Sequence, residues 1–129
     1  MIIQNRRQIP TVSVTGKPGH RQLRIAFNAA LVRAAKLDGF EFMAVESGTD
    51  GVGGESWNFV KFIPSKTILY RSKKGEEGQA FSLSPDGGNK GGTARALYVS
   101  KATFSFLPTG KYSSVINKDN SITISYGEK

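Results

Sequence analysis

The stretch Gln22–Val45, QLRIAFNAALVRAAKLDGFEFMAV, decides how this chain folds. Its start predicts a short strand at Leu23–Ile25, where two apolar residues flank an arginine. Apolar residues spaced three and four apart then predict a helix at about residues 28–36. The β-prone segment Phe40–Val45 predicts a second strand. No other part of the sequence has a helical pattern of this quality, so we expect one main helix in a mainly β chain.

The two ends of this helix carry their own signals. The side chain of Asn28 can accept hydrogen bonds from the free amides of the first turn, which predicts that Asn28 is the N-cap. Gly39 is expected to end the helix in the left-handed conformation, which glycine adopts without steric strain. Leu31 and Ala34 lie on the apolar side of the helix and are expected to be buried.

Short strands with turn residues between them account for most of the remaining sequence. They are predicted at Thr11–Thr15, Trp57–Ile63, Ile68–Arg71, Phe81–Leu83, Leu97–Val99, Tyr112–Ile116 and Ile122–Tyr126. The glycine-rich segment Ser47–Ser56 is expected to be a connector, and Ile68–Arg71 is expected to pair with Phe81–Leu83. Lys101–Leu107 predicts a weak second helix. The predicted fold class is therefore β-rich α+β.

The order strand, glycine turn, strand, helix, glycine, strand, hairpin, strand occurs twice, in pseudo-repeats at about 11–63 and 80–127. VSVTGKPG (12–19) aligns with FSLSPDGG (81–88), and Leu23–Ile25 aligns with Leu97–Val99. Trp57–Phe62 aligns with Ser121–Tyr126. The alternative is chance recurrence of common elements. Arg6 and Arg7, followed by Pro10, predict a basic arm at 1–10, and both repeats are expected to lie in a single domain at 11–129.

The repeated unit resembles that of the swapped-hairpin barrels, the AbrB, MazE and SpoVT-like DNA-binding domains. Leu97–Tyr126, LYVSKATFSFLPTGKYSSVINKDNSITISY, is the more similar copy, and Leu23–Val45 is similar too. Both copies lack the proline that usually precedes the helix of that family. The resemblance implies that the two units pair into one barrel and bind duplex DNA through basic residues. At the matching positions these are Arg21, Arg24, Arg95 and Lys101, with added backbone contacts from Lys17, Arg6 and Arg7.

The balance and distribution of charge point to a polyanionic partner. The chain has 18 Lys and Arg against 10 Asp and Glu, a net charge of +8 at pH 7. An excess of this size favours nucleic acid first, and an anionic membrane or an acidic protein second. Met1–Leu37 contains cations but no acid, whereas Asp38–Glu55 contains acids but no cation. Blocks of one sign predict that one face of the fold is cationic.

Basic and aromatic residues also interleave, in Trp57–Lys74 and in Arg95–Phe106. Unpaired bases stack on exposed aromatic rings, so such segments are typical of single-strand binders. The aromatic candidates are Trp57, Tyr70, Tyr98 and Tyr112, and burial is the alternative for each. The full set of expected nucleic-acid-binding residues is Arg6, Arg7, Lys17, Arg21, Arg24, Lys61, Lys66, Tyr70, Arg71, Lys73, Lys74, Arg95, Tyr98 and Lys101.

The sequence does not favour catalysis, so we expect a protein that is not an enzyme and needs no cofactor. His20 is the only histidine, and in its Pro-Gly-His-Arg turn we expect an exposed residue or a minor phosphate contact rather than a base. Asp50 and Glu55 lack the spacing of a calcium loop, and neither glycine-rich loop has the Gly-Lys-Ser/Thr of a phosphate-binding loop. Cysteine ligands are absent as well, and no metal site is expected.

Three functions remain open. We favour a small basic DNA-binding protein with a regulatory or architectural role. The second is a sequence-tolerant single-stranded DNA-binding protein, for example from a phage, and the third is a non-catalytic structural protein that binds an acidic partner. Hydrophobic content of 38% predicts a thin core that a second copy could complete as a homodimer. The start, MIIQNRRQIP, has no long apolar run, so we expect a cytoplasmic protein with no membrane partner.

Overall fold

The computed structural model describes residues 10–52, 55–71, 75, 77–85 and 94–128. Side chains are described for the same residues except 50–52, 55–57 and 127–128. Within this part of the chain the predicted class is confirmed, because the fold is mainly β with one α-helix, α1, at Ala29–Ala35. The strands in chain order are β1 Thr11–Thr15, β2 Gln22–Phe27, β3 Phe42–Val52, β4 Glu55–Ser65, β5 Leu69–Arg71, β6 Glu77–Gln79, β7 Phe81–Ser82, β8 Ser84–Pro85, β9 Arg95–Ser100, β10 Gly110–Ser113, β11 Val115–Ile116 and β12 Ile122–Glu128.

Two antiparallel sheets hold most of these strands. The first sheet has the order β10-β1-β2-β9-β8, and the second has the order β11-β12-β4-β3-β7. β5 and β6 form a separate two-stranded hairpin. Phe27 of the first sheet and Phe62 of the second are fully buried and meet edge to face, with ring centroids 5.2 Å apart. The hydrophobic core therefore lies where the two sheets face each other.

The closed barrel that the sequence predicted is not found among the described residues, whose ladders form two separate sheets. The chain nevertheless passes directly from one sheet to the other at two places. β7 pairs with β3 in the second sheet, β8 pairs with β9 in the first, and only Leu83 separates them. β10 and β11 belong to different sheets too, and only Ser114 separates them. At each of these two crossings, a single residue connects a strand of one sheet to a strand of the other.

Helix α1 packs into the core rather than presenting itself to solvent. Leu31, Val32 and Ala35 have no exposed surface, whereas Ala34, which was expected to be buried, is exposed. The predicted N-cap is confirmed, because Oδ1 of Asn28 accepts a hydrogen bond from the Leu31 amide at 2.9 Å.

The predicted end of the helix at Gly39 is wrong. α1 ends at Ala35, and Lys36 takes the left-handed conformation with φ of 55°. Gly39 instead closes a short 3-10 turn that begins at Leu37. Leu37 is fully buried, so the early left-handed residue turns the chain in time for this side chain to enter the core.

The glycine-rich segment Ser47–Ser56 was expected to be a connector, and this prediction is wrong. β3 and β4 stay paired from Phe42 opposite Ser65 to Val52 opposite Glu55, so most of the segment lies within the ladder. A Cβ on Gly48 would lie 2.8 Å from Cζ of Phe59, its partner on β4. This glycine therefore leaves room for an aromatic ring and does not mark a loop.

Two further local predictions are wrong. Ile68–Arg71 does not pair with Phe81–Leu83, since β5 pairs with β6 and β7 pairs with β3. Lys101–Leu107 forms successive turns rather than a helix, with bonds such as the Phe104 amide to the Ser100 carbonyl at 3.0 Å. These turns place Phe104 and Leu107 in the core.

Candidate nucleic-acid interface

A cleft of about 280 Å³ opens at the end of the first sheet where β1 turns into β2. The turn contains Gly19 in the left-handed region, with φ of 82°, and the His20 amide donates to the Lys17 carbonyl at 3.1 Å. The described residues that line the cleft contain three basic or imidazole side chains, one aromatic ring and no acid. They are Thr15, Gly16, Lys17, His20, Gln22, Arg24 and Tyr98.

The strand register places the aromatic ring beside a guanidinium group. Arg24 pairs with Thr15 on one side and with Tyr98 on the other. Directly paired residues of antiparallel strands project from the same face of a sheet. Leu23 and Ile25, the neighbours of Arg24 along β2, are buried, so the row Thr15, Arg24, Tyr98 lies on the outer face. Tyr98 is 51% exposed there.

Lys101 joins the β1–β2 turn to the end of β9 through two hydrogen bonds. Its amide donates to the Arg21 carbonyl at 2.9 Å, and its Nζ donates to the Lys17 carbonyl at 2.6 Å. Gly16 leaves the space that this arrangement needs, because a Cβ there would lie 2.7 Å from Leu23 and 3.2 Å from Lys101. We call the surface formed by Lys17, His20, Arg21, Arg24, Tyr98 and Lys101 the cationic face.

The candidate aromatic residues differ in whether their side chains are hydrogen-bonded within the fold or exposed to solvent. The hydroxyl of Tyr70 donates to Glu46 Oε1 at 3.3 Å, and the hydroxyl of Tyr112 donates to the Pro108 carbonyl. Burial raises the pKa of Tyr112, and burial followed by the charge of Glu46 raises the pKa of Tyr70, because both disfavour the phenolate. Tyr98 alone of these three tyrosines is directed to solvent on the cationic face. The side chain of Trp57 lies outside the described side chains.

The other described cations of the predicted set lie elsewhere, and three of them have acidic partners. Nζ of Lys61 lies 3.9 Å from Asp119, and Arg71 forms an ion pair with Glu77 across the β5–β6 hairpin. Arg95 lies 3.9 Å from Asp38. It begins β9, about 17 Å along the strand from the turn. Lys66 is exposed in the connection from β4 to β5. The structure thus brings together only part of the predicted site.

Local hydrogen bonds strengthen the acidic surroundings of Lys61. The backbone amide and hydroxyl of Ser121 both donate to Oδ1 of Asp119. These bonds, followed by the charge of Lys61, hold the pKa of Asp119 below its usual value, so this carboxylate stays ionised. Glu46 is paired with Lys61 across the β3–β4 ladder. Phosphate groups would meet two carboxylates here, which makes this surface a poor one for nucleic acid.

Arg6, Arg7, Lys73 and Lys74, which the sequence also predicted, lie outside the described residues. Conversely, the predicted set omitted the cleft residues Thr15 and Gln22 and the exposed Lys111, which is paired with Ser13 at the outer face of the first sheet. The alternating polar positions of β1 and β2 are the signal that could have located the first two. Lys111 could not be located this way, because β1 and β10 are distant in sequence.

Among the residues described, no group of three or more histidines or acids could hold a metal ion. The same part of the chain contains no helix that is long and apolar enough to cross a membrane. No protein-family model, curated protein or solved structure matches the chain significantly. The candidate site must therefore be interpreted from its own chemistry.

Proposed function

We propose that this chain is a small basic DNA-binding protein and that the cationic face is its binding surface. The observation that carries the proposal is the grouping of Lys17, His20 and Arg24 in a cleft whose described lining contains no acid, with the exposed Arg21 next to His20 in the chain. Lys61, Arg71 and Arg95, which lie outside this cleft, are close to Asp119, Glu77 and Asp38, respectively. A surface of one sign is where polyanions gain most free energy, since each neutralised phosphate releases condensed counterions. A regulatory or architectural role remains part of this proposal.

Binding should depend steeply on salt and on these particular cations. We expect the variant Lys17→Ala/Arg21→Ala/Arg24→Gln to lose at least about tenfold in affinity for labelled oligonucleotides. Its log–log salt slope should fall by about 2 to 3, because each lost phosphate contact lowers the slope by about 1. Fluorescence anisotropy between 50 and 200 mM salt (roughly the range over which such contacts matter) measures both quantities.

The matched control removes the same charge elsewhere. Arg33, Lys66 and Lys118 are exposed and lie outside the cationic face, so Arg33→Ala/Lys66→Ala/Lys118→Ala should change affinity by less than about threefold. Equal losses in both triple variants would mean that only net charge matters, and the proposed surface would be abandoned. If neither duplex nor single-stranded DNA binds at low salt, the hypothesis of an acidic protein partner replaces this one.

We also propose that the two pseudo-repeats are copies of one unit, related by an approximate two-fold axis. Two pairings support this. β2 pairs with β9 about the Arg24–Tyr98 pair, and the sequence alignment makes these two residues equivalent. β4 pairs with β12 about Val60–Ile124, which the alignment also makes equivalent. A two-fold relation between units is what the resemblance to swapped-hairpin domains implies, and it would place the cationic face on the axis.

A further inference from the structure

We propose that the cleft binds one unpaired nucleotide unit, with its base stacked on Tyr98 and its phosphate held by Lys17 and Arg24. The ligand of the cationic face is then single-stranded DNA. This inference rests on the proposed function for its phosphate contacts, and it adds a base-stacking subsite that charge alone does not require.

The first reason is that the side chain of Tyr98, unlike those of the other described tyrosines, has no hydrogen bond or ring contact within the described part of the fold. Tyr70 and Tyr112 are held by hydrogen bonds, and the ring of Tyr126 packs against Phe106 with centroids 5.9 Å apart. The described residues contain no hydrogen bond or ring contact to the side chain of Tyr98. At 51% exposure this ring offers an aromatic face to solvent. Bases of every sequence can stack on such a face.

The second reason is that Tyr98 lies close to cationic side chains. Arg24 is the direct cross-strand partner of Tyr98, so their Cβ atoms are about 5 Å apart on the same face. Lys17 and His20 line the same cleft. A base on the ring would therefore have its own phosphate within reach of these cations. Thr15 and Gln22 add hydrogen-bonding groups at the cleft wall.

The third reason is the size and shape of the cleft. At about 280 Å³ it lies just below the range of roughly 300–1,000 Å³ that is typical of small-molecule pockets. Such a space suits one nucleotide unit. A duplex keeps its bases stacked on one another and presents only their edges in the grooves, so it cannot offer a base face to Tyr98. The stacking contact thus selects single strands.

Base-dependent binding tests the inference separately from phosphate binding. We expect Tyr98→Ala to weaken binding of an oligothymidylate by about 5- to 100-fold, the range of a lost base–aromatic stack. Its salt slope should not change, because no cation is removed. Tyr98→Phe keeps the ring and should bind within about twofold of the unchanged protein. An abasic oligonucleotide of equal length should bind Tyr98→Ala and the unchanged protein equally well, since it has phosphates but no bases.

The possible outcomes are distinct. If Tyr98→Ala binds the oligothymidylate as tightly as the unchanged protein while the triple charge variant still weakens it, the stacking subsite is refuted and the proposed function stands. If the charge variant also binds normally, both fail. Equal affinity for duplex and single strand would likewise overturn the inference. Should Tyr98→Ala not fold, the comparison of Tyr98→Phe with Tyr98→Leu takes its place, because only the first retains a ring.

Discussion

Lys101 illustrates how a cation at the proposed binding surface can act on the protein rather than on a ligand. The sequence predicted a DNA contact, but the ammonium group donates to the Lys17 carbonyl and the backbone amide donates to the Arg21 carbonyl. Both bonds cross from the end of β9 to the β1–β2 turn. The ammonium contributes positive potential, but its geometry is that of a residue that positions Lys17 and Arg21.

We therefore expect Lys101→Met to loosen the turn in the free protein. Methionine keeps the apolar stem and removes the donor, so the bond from the His20 amide to the Lys17 carbonyl should weaken and this amide should exchange faster with solvent. Affinity for DNA should fall by about 3- to 10-fold, with a smaller change of salt slope than Arg21→Ala causes. Amide exchange by NMR and anisotropy titrations measure these effects.

Lys111→Met is the matched control, because it removes the same charge from an exposed position of β10 on the same sheet. It should leave the exchange of the His20 amide unchanged. If the two variants behave alike in the free protein, Lys101 does not position the turn.

At the scale of elements, the only α-helix among the described residues, α1, supports the core and takes no part in the cationic face. Its buried side consists of Leu31, Val32 and Ala35. α1 follows the end of β2 that is remote from the β1–β2 turn. Oδ1 of Asn28 accepts from the Leu31 amide and also from the Thr11 amide at 3.2 Å. One side chain thus caps the helix and joins it to the first strand.

Loss of this cap should destabilise the fold without affecting DNA binding. We expect Asn28→Ala to lower the free energy of unfolding by about 1–2 kcal/mol, because two backbone donors lose their acceptor. Urea denaturation measures the change, and Asn28→Asp, whose carboxylate oxygens can accept the same hydrogen bonds, should retain most of the stability. DNA affinity at low temperature should stay within about twofold for both variants. A large selective loss of DNA binding in the still-folded alanine variant would show that the helix belongs to the interface.

At the scale of the whole molecule, the two sheets share one core and are joined at two crossings. Leu83 lies in the crossing between β7 and β8, is 8% exposed, and its amide donates to the Glu41 carbonyl at 2.8 Å. Ser114 lies in the other crossing, where its hydroxyl donates to the Pro10 carbonyl at 3.2 Å. Neither sheet can bury its inner face alone, so we expect the sheets to unfold together.

Truncation at a crossing tests this cooperativity. Leu83→Ala should lower the free energy of unfolding by about 2–3 kcal/mol, the cost of removing a buried leucine side chain. Native-state hydrogen exchange should register the same loss at Ile25 of the first sheet and at Val60 of the second. Leu69→Ala, at a position 72% exposed on the β5–β6 hairpin, should change either value by less than about 0.5 kcal/mol. A loss confined to one sheet would contradict a single cooperative unit.

What the sequence by itself determined depends on interactions between residues that are close together in the chain. The β-rich class, most strand positions and the Asn28 cap follow from side-chain alternation and from hydrogen bonds within a few residues. The excess of cations is a matter of composition. Lys17, Arg21 and Arg24 could be grouped as candidates because they are close in the chain and flank one turn.

Only the tertiary structure decided which partners these elements and charges meet. Arg24 and Tyr98 are 74 positions apart, and the β2–β9 register alone makes them neighbours. The same kind of long-range pairing gives Lys61 its acidic partner Asp119 and turns the glycine-rich segment after Val45 into part of a ladder. Pairing energies of distant strands depend on burying a shared core, and no local pattern encodes them. For that reason the cationic turn and Tyr98 could each be predicted as candidates, but their position side by side could not.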